Sequence, residues 1–177
     1  MNQKKILELT EFSAGICGVW QRVKQESIEL SKRGYKVMVF SSNAIKGSDN
    51  LAKEQEKIGK VEIRRFSFKK LGGESFMQWF DKEAMSEAIK FNPDIIIAHV
   101  YRHLHTIKAL DLAKKIRQQK KCKVFLVTHA PFVEKNKTRT FFESLIVNLY
   151  DWIIGRRIIN KFNKIIAITN WETPYLL

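Results

Sequence analysis

The feature that most constrains the fold is the alternation of short apolar runs with longer amphipathic segments. Six runs have the length and composition of strands: Lys4–Thr10, Tyr35–Ser41, Val61–Phe66, Ile95–Val100, Cys122–Thr128 and Lys164–Thr169. Helical spacing separates most of them, over Val19–Arg33, Phe76–Phe91, Leu104–Gln119 and Thr138–Asn160. This order predicts an α/β fold with a doubly wound, mostly parallel, Rossmann-like sheet of about six strands.

The remaining stretches are polar or rich in turn residues. We expect Asn43–Lys60 to be a loop with a short helix, and Lys69–Ser75 and His129–Lys137 to be loops. The tail Asn170–Leu177 is expected to open one more helix. No linker composition interrupts the chain, so residues 1–177 are predicted to form one domain.

The charge balance is strongly basic and uneven. Lys and Arg number 32 against 18 Asp and Glu, which gives a net charge of +14. Residues 89–128 hold nine basic and two acidic groups, mostly between Lys114 and Lys123 at a predicted helix end. Cations are favourable there, so this run is expected to be a solvated end. The overall balance points to phosphate-bearing partners or an anionic surface.

Composition excludes several classes of protein. A hydrophobic fraction of 45 % is that of a folded domain and excludes a disordered tail. Two cysteines, Cys17 and Cys122, exclude a framework of several disulfides. We see neither a secretory leader nor an apolar run long enough to span a bilayer, so we expect a cytoplasmic protein.

Glycines follow the first predicted strand in the segment Gly15-Ile16-Cys17-Gly18. They permit close approach of the backbone to a ligand, and the helix that follows offers free N–H groups to an anion. A dinucleotide fingerprint is excluded because its third glycine has no counterpart. Gly15 and Gly18 are therefore candidates for substrate binding, although a tight turn that serves only the fold explains them equally well.

Histidines stand at the carboxyl ends of two buried strands. His99 and His129 are expected to face the crevice where open α/β sheets bind ligands, and Arg102 and Thr128 lie beside them in sequence. A histidine there can hydrogen-bond a hydroxyl or exchange a proton, although His99 can also simply cap its strand. His103 and His105 follow, but their spacing fits no closed zinc set. We expect neither a metal nor a cofactor.

Basic and aromatic side chains alternate in two segments. Arg64–Phe80 is one, and the predicted helix Thr138–Asn160, with its wide apolar stripe and the pair Arg156-Arg157, is the other. Such segments suit packing on a sheet, burial against a further domain, or contact with an anionic membrane. We hypothesise that Arg64–Phe80 docks on anionic membranes.

Five segments, in order, resemble the amino-terminal domain of a group 1 glycosyltransferase with the GT-B architecture. They are Lys5–Gly18, Val19–Val39 with its Arg-Gly-x-x-Val-x-Val ending, Pro93–His99, Val124–His129 and Ile158–Thr169. The resemblance implies transfer of a sugar from a nucleotide sugar to an acceptor hydroxyl, with retention at the anomeric carbon. It makes residues 1–177 the acceptor-side Rossmann-like domain, with the carboxyl-terminal donor-binding domain absent from this chain.

The resemblance also implies roles for single residues. Gly18 matches the glycine near the donor phosphates, and Cys17 stands where the family often has a second glycine. His129 matches the histidine beside the reacting sugar and is the catalytic candidate, although Ala130-Pro131 follows in place of the usual Gly or Asp. His99 matches the end of the fourth strand and is secondary. The basic surface fits members that use lipid-linked acceptors at the inner face of the cell membrane.

As part of such an enzyme, this chain is expected to be inactive alone. It would need the carboxyl-terminal domain on the same polypeptide or as a separate subunit. Two alternatives stay open: a stand-alone Rossmann-like module for a nucleotide or nucleic acid, and half of a sugar-nucleotide epimerase. We do not expect nucleic acid, because the aromatic residues have no spacing known from RNA-binding motifs.

Overall fold

The computed structural model describes residues 3–70, 77–129, 141–170 and 172, and for 141–144 and 146 only the backbone. The strands are β1 (Lys5–Phe12), β2 (Lys36–Ser42), β3 (Gln55–Ile58), β4 (Val61–Phe66), β5 (Lys69–Lys70), β6 (Met77–Gln78), β7 (Ile95–His99), β8 (Lys123–Val127) and β9 (Lys164–Ile166). The helices are α1 (Gly18–Lys32), α2 (Lys82–Phe91), α3 (Leu104–Arg117), α4 (Phe141–Tyr150) and the short α5 (Arg156–Ile158).

The main sheet has seven strands in the order β3-β4-β2-β1-β7-β8-β9. All neighbours are parallel except the edge strand β3, which pairs with β4 in the antiparallel sense. The predicted mostly parallel α/β sheet is confirmed. From β1 the chain first builds one side of the sheet and then crosses to β7 on the other. The carboxyl ends of β1 and β7 therefore meet at the switch point, where ligands bind in such sheets.

Strand β1 is the centre of the core and shows the two-residue period of a strand. Leu7 and Leu9 join the cluster on the face that α2 and α3 cover, while Ile6 joins the cluster on the α1 face with Trp20 and Val23. The same period places Glu8 on the α1 face, inside an otherwise apolar layer, and it is fully buried. A carboxyl group in such a place needs hydrogen-bond partners, which the site supplies.

Two predictions between β2 and α2 are wrong. The stretch Asn43–Lys60 holds strand β3 and no helix, because Gln55–Ile58 extends the sheet edge beside β4. The helix predicted over Phe76–Phe91 starts only at Lys82, because the Asp81 carboxylate caps its first turn by accepting from the Glu83 and Ala84 amides at 2.9 and 3.1 Å. Before it, β6 pairs with β5, which lies in a stretch predicted to be loop; residues 71–76 lie outside the described part.

The last helical stretch is not uniform. A π-helical turn over Asp151–Gly155 joins α4 to α5, and a 3-10 turn over Ile159–Lys161 follows. The wider turn brings the Gly155 backbone against the hydroxyl of Tyr101, which would lie 1.9 Å from a Cβ at position 155. The loop predicted after His129 and most of the tail after Asn170 lie outside the described residues.

Several described residues of Arg64–Phe80, the segment predicted to dock on anionic membranes, are buried. Its aromatic side chains Phe66, Trp79 and Phe80 are in the core, and Arg65 is 4 % exposed. The Arg65 guanidinium donates to Ser13 and to the Lys53 carbonyl and pairs with Glu56, so it ties β4 to neighbouring segments. Among the described helices, none is both long and apolar enough to cross a bilayer.

Candidate functional site

The site lies at the carboxyl ends of β1, β7 and β8. Glu11, His99 and His129 lie at or just after the carboxyl ends of these neighbouring strands. Glu8 lies three residues before Glu11 on β1. The predicted meeting of His99 and His129 occurs: their ring centroids are 5.3 Å apart. The parallel register between β7 and β8 explains this, because it pairs His99 with Val127 and so places the end of β8 beside it.

A buried chain of hydrogen bonds runs through the two histidines. The Ser27 hydroxyl donates to Oε1 of Glu8 at 2.8 Å, and Oε2 of Glu8 lies 3.0 Å from Nε2 of His99. On its other side, Nδ1 of His99 lies 3.0 Å from Nε2 of His129. Glu8 and His99 are fully buried, and His129 is partly exposed at the crevice. The chain links helix α1 to the crevice through the sheet.

Burial is the largest cause of the pKa shifts of Glu8, His99 and His129. It raises the pKa of Glu8 to about 8, against the lowering effects of the Ser27 hydrogen bond and of Arg22. It lowers the pKa of His99 to about 4. Burial and then the neighbouring His99 lower the pKa of His129 to about 4. Both imidazoles are therefore neutral near pH 7, and Glu8 is largely protonated.

Both strands that carry the histidines end in left-handed backbone. Val100, directly after β7, has φ of 74°, and His129 has φ of 54°. A β-branched residue in this region is strained, at a cost on the order of 1–3 kcal/mol. The Val100 amide donates to the Val127 carbonyl at 2.9 Å, and its carbonyl accepts from the Thr106 hydroxyl at 2.6 Å, which holds the turn. The sharp turn after each strand sets the direction in which the next residues leave the sheet.

A second polar cluster surrounds Glu11. Its Oε2 lies 3.0 Å from Nδ1 of both His103 and His105, and it accepts from Nε1 of Trp79 at 3.3 Å. Burial raises the pKa of Glu11, but the hydrogen bonds from the two histidines outweigh it and leave that pKa lowered. Nε2 of His105 also lies 2.7 Å from the His99 carbonyl, so both nitrogens of this ring face oxygen atoms. The cluster therefore buttresses the end of β7 from behind.

Among the described residues, two groups have the geometry to bring three ligand atoms together: Glu11 with His103 and His105, and Glu8 with Glu26 and His99. In the first group, protons shared between the rings and the carboxylate account for the 3.0 Å spacings. In the second, the Glu8–His99 hydrogen bond does the same. We identify neither as a metal site, and the expectation of no metal remains a prediction.

The two glycines of the first loop, Gly15 and Gly18, differ in backbone conformation and in the space available for a Cβ. Gly15 has φ of +83°, and a Cβ there would lie 2.3 Å from the Lys46 carbonyl oxygen. Its glycine is therefore required by a contact within the chain. At Gly18, the first residue of α1, a Cβ would meet nothing within 4 Å. The first turn of α1 also holds no acidic residue, which leaves its N–H groups suited to an anion.

Two further sequence candidates are engaged inside the chain. The Arg102 guanidinium donates to both carboxylate oxygens of Asp151, at 3.0 and 2.6 Å. The Thr128 hydroxyl pairs with the carboxylate of Glu172 and lies 3.3 Å from the Ile166 carbonyl oxygen. Both side chains thus join the site to the last helical stretch and the tail. Direct contact with a substrate stays a prediction for them.

A cavity of about 340 Å³ opens beside the site, at the carboxyl ends of β1 and β2. Its walls combine apolar side chains, among them Phe12, Phe68 and Met77, with Lys46 and Lys70. The Lys46 ammonium lies 5.1 Å from the centre of the Phe12 ring. A wall of this kind suits a ligand that has both an apolar face and negative charge.

Sequence reasoning missed Glu8 and Ser27, and it assigned no role to Glu11, which only began a loop expected near the ligand crevice. A signal for the two carboxylates existed, since both interrupt the apolar run of β1 at positions that the sheet buries. Ser27 carried none, because one serine in the polar pattern of a helix is ordinary. Only the packing of α1 on β1 brings its hydroxyl to Glu8.

We compared the chain with known protein families, curated proteins and solved structures. The sequence model of Glycosyltransferase Family 4 matches residues 16–177. A search of curated proteins found no match. Among solved structures, the chain is similar to sucrose-phosphate synthase from Thermosynechococcus elongatus, with a TM-score of 0.57 and 12 % identity. The alignment covers 98 % of this chain and 44 % of that one, so the chain spans less than half of its structural relative.

Proposed function

The chain belongs to glycosyltransferase family 4, and from this premise we propose that it forms the acceptor-side domain of a retaining transferase that uses a nucleotide-sugar donor. The observation that carries the proposal is the position of His129. It is a neutral, partly exposed imidazole just after the carboxyl end of β8, hydrogen-bonded by the buried His99, which ends β7 at the switch point. This ring is able to hydrogen-bond the donor sugar or the charge that develops on the leaving group.

Sugar transfer also requires stabilisation of the leaving diphosphate, and the amino terminus of α1 suits this role. Free N–H groups and the positive end of the helix dipole favour an anion there. The open space at Gly18 and the absence of acidic side chains in the first turn support this use. The cavity of Phe12, Lys46 and their neighbours is our proposed acceptor subsite, because Phe12 ends β1 and the cavity opens at the carboxyl ends of the strands.

We propose that a donor-binding domain faces this edge, on the same polypeptide or as a separate subunit. In sucrose-phosphate synthase, the matching region is 44 % of the chain. Closure of two domains excludes water and positions the reacting groups. Residues 1–177 alone are then expected to be inactive in transfer. The family match favours this function over half of an epimerase and over a stand-alone binding module.

A lipid-linked acceptor at a membrane surface is supported by the outer face of the last helical stretch. Leu145, Leu149, Trp152 and Ile153 are 38–65 % exposed, and Arg156 and Arg157 are exposed beside them. Exposed apolar side chains next to cations are typical of peripheral contact with anionic lipid. This face replaces Arg64–Phe80 as the proposed membrane contact.

The experiment that tests the function replaces His129 by Ala in the full-length protein. Transfer from a panel of radiolabelled nucleotide sugars is expected to fall by about 100-fold or more in a variant that still folds. Lys121→Ala, an exposed change between α3 and the amino-terminal end of β8, is the control and is expected to match the unmodified enzyme. Equal turnover and equal donor affinity in His129→Ala would contradict the assignment.

A further inference from the structure

We propose that the chain Glu8–His99–His129 selects the tautomer of His129, so that its second ring nitrogen, Nδ1, carries a proton and serves as a hydrogen-bond donor. Glu8 and His99 are then positioning residues, and His129 is the group that meets the substrate. The inference deepens the proposed function and rests on it only for the identity of the ligand. The tautomer itself follows from two hydrogen bonds within the protein, between Glu8 and His99 and between His99 and His129.

When Glu8 is protonated, its hydrogen bond with His99 fixes the positions of the protons on both histidines. Its carboxyl O–H donates to Nε2 of His99 across 3.0 Å, which leaves the single proton of a neutral His99 on Nδ1. That N–H then donates to Nε2 of His129 across 3.0 Å. A neutral His129 that accepts at Nε2 must hold its own proton at Nδ1. One proton on Glu8 thus makes Nδ1 of His129 a donor.

Loss of the Glu8 proton reverses the two hydrogen bonds that His99 makes, whereas Ser27 donates to Glu8 in both states. An ionised Glu8 accepts from Nε2–H of His99, so Nδ1 of His99 becomes a lone pair. It then accepts from Nε2–H of His129, and Nδ1 of His129 is left without a proton. The same atom that donated now accepts. With both imidazoles neutral, these two arrangements are the ones that keep both hydrogen bonds.

The surroundings of Glu8 decide which state prevails at neutral pH. On the sheet, its register partners are the apolar Val39 and Ile97. From α1 it is faced by Ser27, Arg22 and Glu26, and from β7 by His99. The Ser27 hydrogen bond and the charge of Arg22 lower the pKa of Glu8, but burial outweighs both, so Glu8 keeps its proton up to a pKa of about 8.

The histidines remain neutral over the same range. Glu26, His105 and Arg22 act on His99, and Arg22 and Glu172 act on His129, but burial lowers the pKa of both rings to about 4. Between pH values of about 4 and about 8, the hydrogen bonds through Glu8, His99 and His129 have one arrangement, with the proton of His129 on Nδ1. Such a group hydrogen-bonds the lone pair of a substrate oxygen, on a sugar hydroxyl or a diphosphate. It does not remove a proton.

The test reads the tautomer directly, without any transfer reaction. In long-range 15N–1H spectra of the 177-residue chain, His129 is expected to carry its proton on Nδ1 at about pH 6 and on Nε2 at about pH 10, two units either side of the Glu8 pKa of about 8. Glu8→Gln keeps a donor toward His99 that cannot ionise. It is expected to hold Nδ1–H on His129 at both pH values. A proton on Nε2 of His129 at about pH 6 would overturn the proposal.

Ser27→Ala is a second variant with a smaller change. The hydroxyl of Ser27 lowers the pKa of Glu8. Removal of this hydroxyl is therefore expected to raise the tautomer midpoint, which is the pH at which the proton of His129 is shared equally between Nδ1 and Nε2. An unmoved midpoint would overturn the role of Glu8 even if Glu8→Gln did not fold.

In the full-length enzyme, kcat/KM is expected to fall about tenfold per pH unit above the Glu8 pKa of about 8. In Glu8→Gln this alkaline fall is expected to disappear, and its persistence would contradict the proposal. A correct tautomer with no sugar transfer in any variant would instead reject the proposed function alone.

Discussion

At the scale of single residues, the first loop contains two glycines that the fold treats differently. Gly15 adopts a left-handed φ and touches the Lys46 backbone, whereas Gly18 lies in ordinary backbone with open space where a Cβ would be. The first is needed by the chain itself. The second is free to serve a ligand, which is why the two are a matched pair for experiment.

Substitution of each glycine by Ala is expected to separate stability from binding. Gly15→Ala should lower the free energy of unfolding by about 1–3 kcal/mol, because of the strained φ and the 2.3 Å approach to Lys46. Gly18→Ala should leave the melting temperature unchanged and weaken nucleotide-sugar binding in the full-length protein. Thermal denaturation and calorimetric titration measure the two effects. Donor affinity unaffected by Gly18→Ala would remove this glycine from the site.

At the scale of elements, the π-helical turn at Asp151–Gly155 fits the last helical stretch around the end of β7. Tyr101 packs its hydroxyl against Gly155 and its ring against Tyr150, with centroids 6.0 Å apart. Burial, and then the nearby Asp151, raise the pKa of Tyr101, so the phenol is neutral. The same Asp151 holds Arg102. The turn is therefore part of the support behind the site.

Gly155→Ala is expected to destabilise the fold by about 1–2 kcal/mol, because its Cβ would overlap the Tyr101 hydroxyl at 1.9 Å. In a Tyr101→Phe background the same change should cost less, since the overlapping atom is gone. A double-mutant cycle from chemical denaturation gives the coupling between the two positions. Zero coupling would mean that Tyr101 moves away from residue 155 without cost.

The exposed face of the last helical stretch carries its own prediction. Trp152→Glu is expected to weaken sedimentation with anionic vesicles at least severalfold, because it replaces a residue that is 65 % exposed and apolar by a negative charge. Neutral vesicles and high salt should abolish binding of the unmodified chain as well. Leu51→Glu, a change at another apolar residue that is 62 % exposed, is the control. Equal losses in both variants would argue against a specific membrane face.

At the scale of the whole molecule, the buried chain links folding stability to pH. The pKa of Glu8 is raised from 4.5 to about 8 in the folded state, so its contribution is full below pH 4.5 and is lost as pH rises through 8. The pKa values of His99 and His129 are lowered from 6.5 to about 4, so their contribution is full above pH 6.5 and is lost as pH falls through 4. The two effects oppose each other below pH 6.5, and only that of Glu8 acts above it.

Unfolding in urea at a series of pH values is expected to show this alkaline limb. The free energy of unfolding should decrease between pH 6.5 and about 8 by about 1.4 kcal/mol per pH unit for the one proton of Glu8. Glu8→Gln should remove most of the decrease, because its amide does not titrate. A pH profile equally steep in both proteins would assign the limb to other groups.

The amino-acid pattern was sufficient for the architecture. Six apolar runs predicted the six parallel strands, because a strand buried on both faces leaves a continuous hydrophobic signature that needs no tertiary information. It also placed His99 and His129 at one edge, because parallel strands end together. It did not predict β3, whose exposed polar residues follow the pairing partner rather than their own propensity.

The partners of the polar groups were decided only by tertiary structure. In the sequence, Glu8 lies 91 positions from His99, and no local rule joins them or adds Ser27. Likewise, Phe66, Trp79 and Phe80 belong to a segment with the composition of a surface, and only the folded structure shows that they lie in the core. Hydrophobic periodicity is a local property and is legible along the chain. Hydrogen bonding between buried groups depends on register and helix packing, which exist only once the chain has folded.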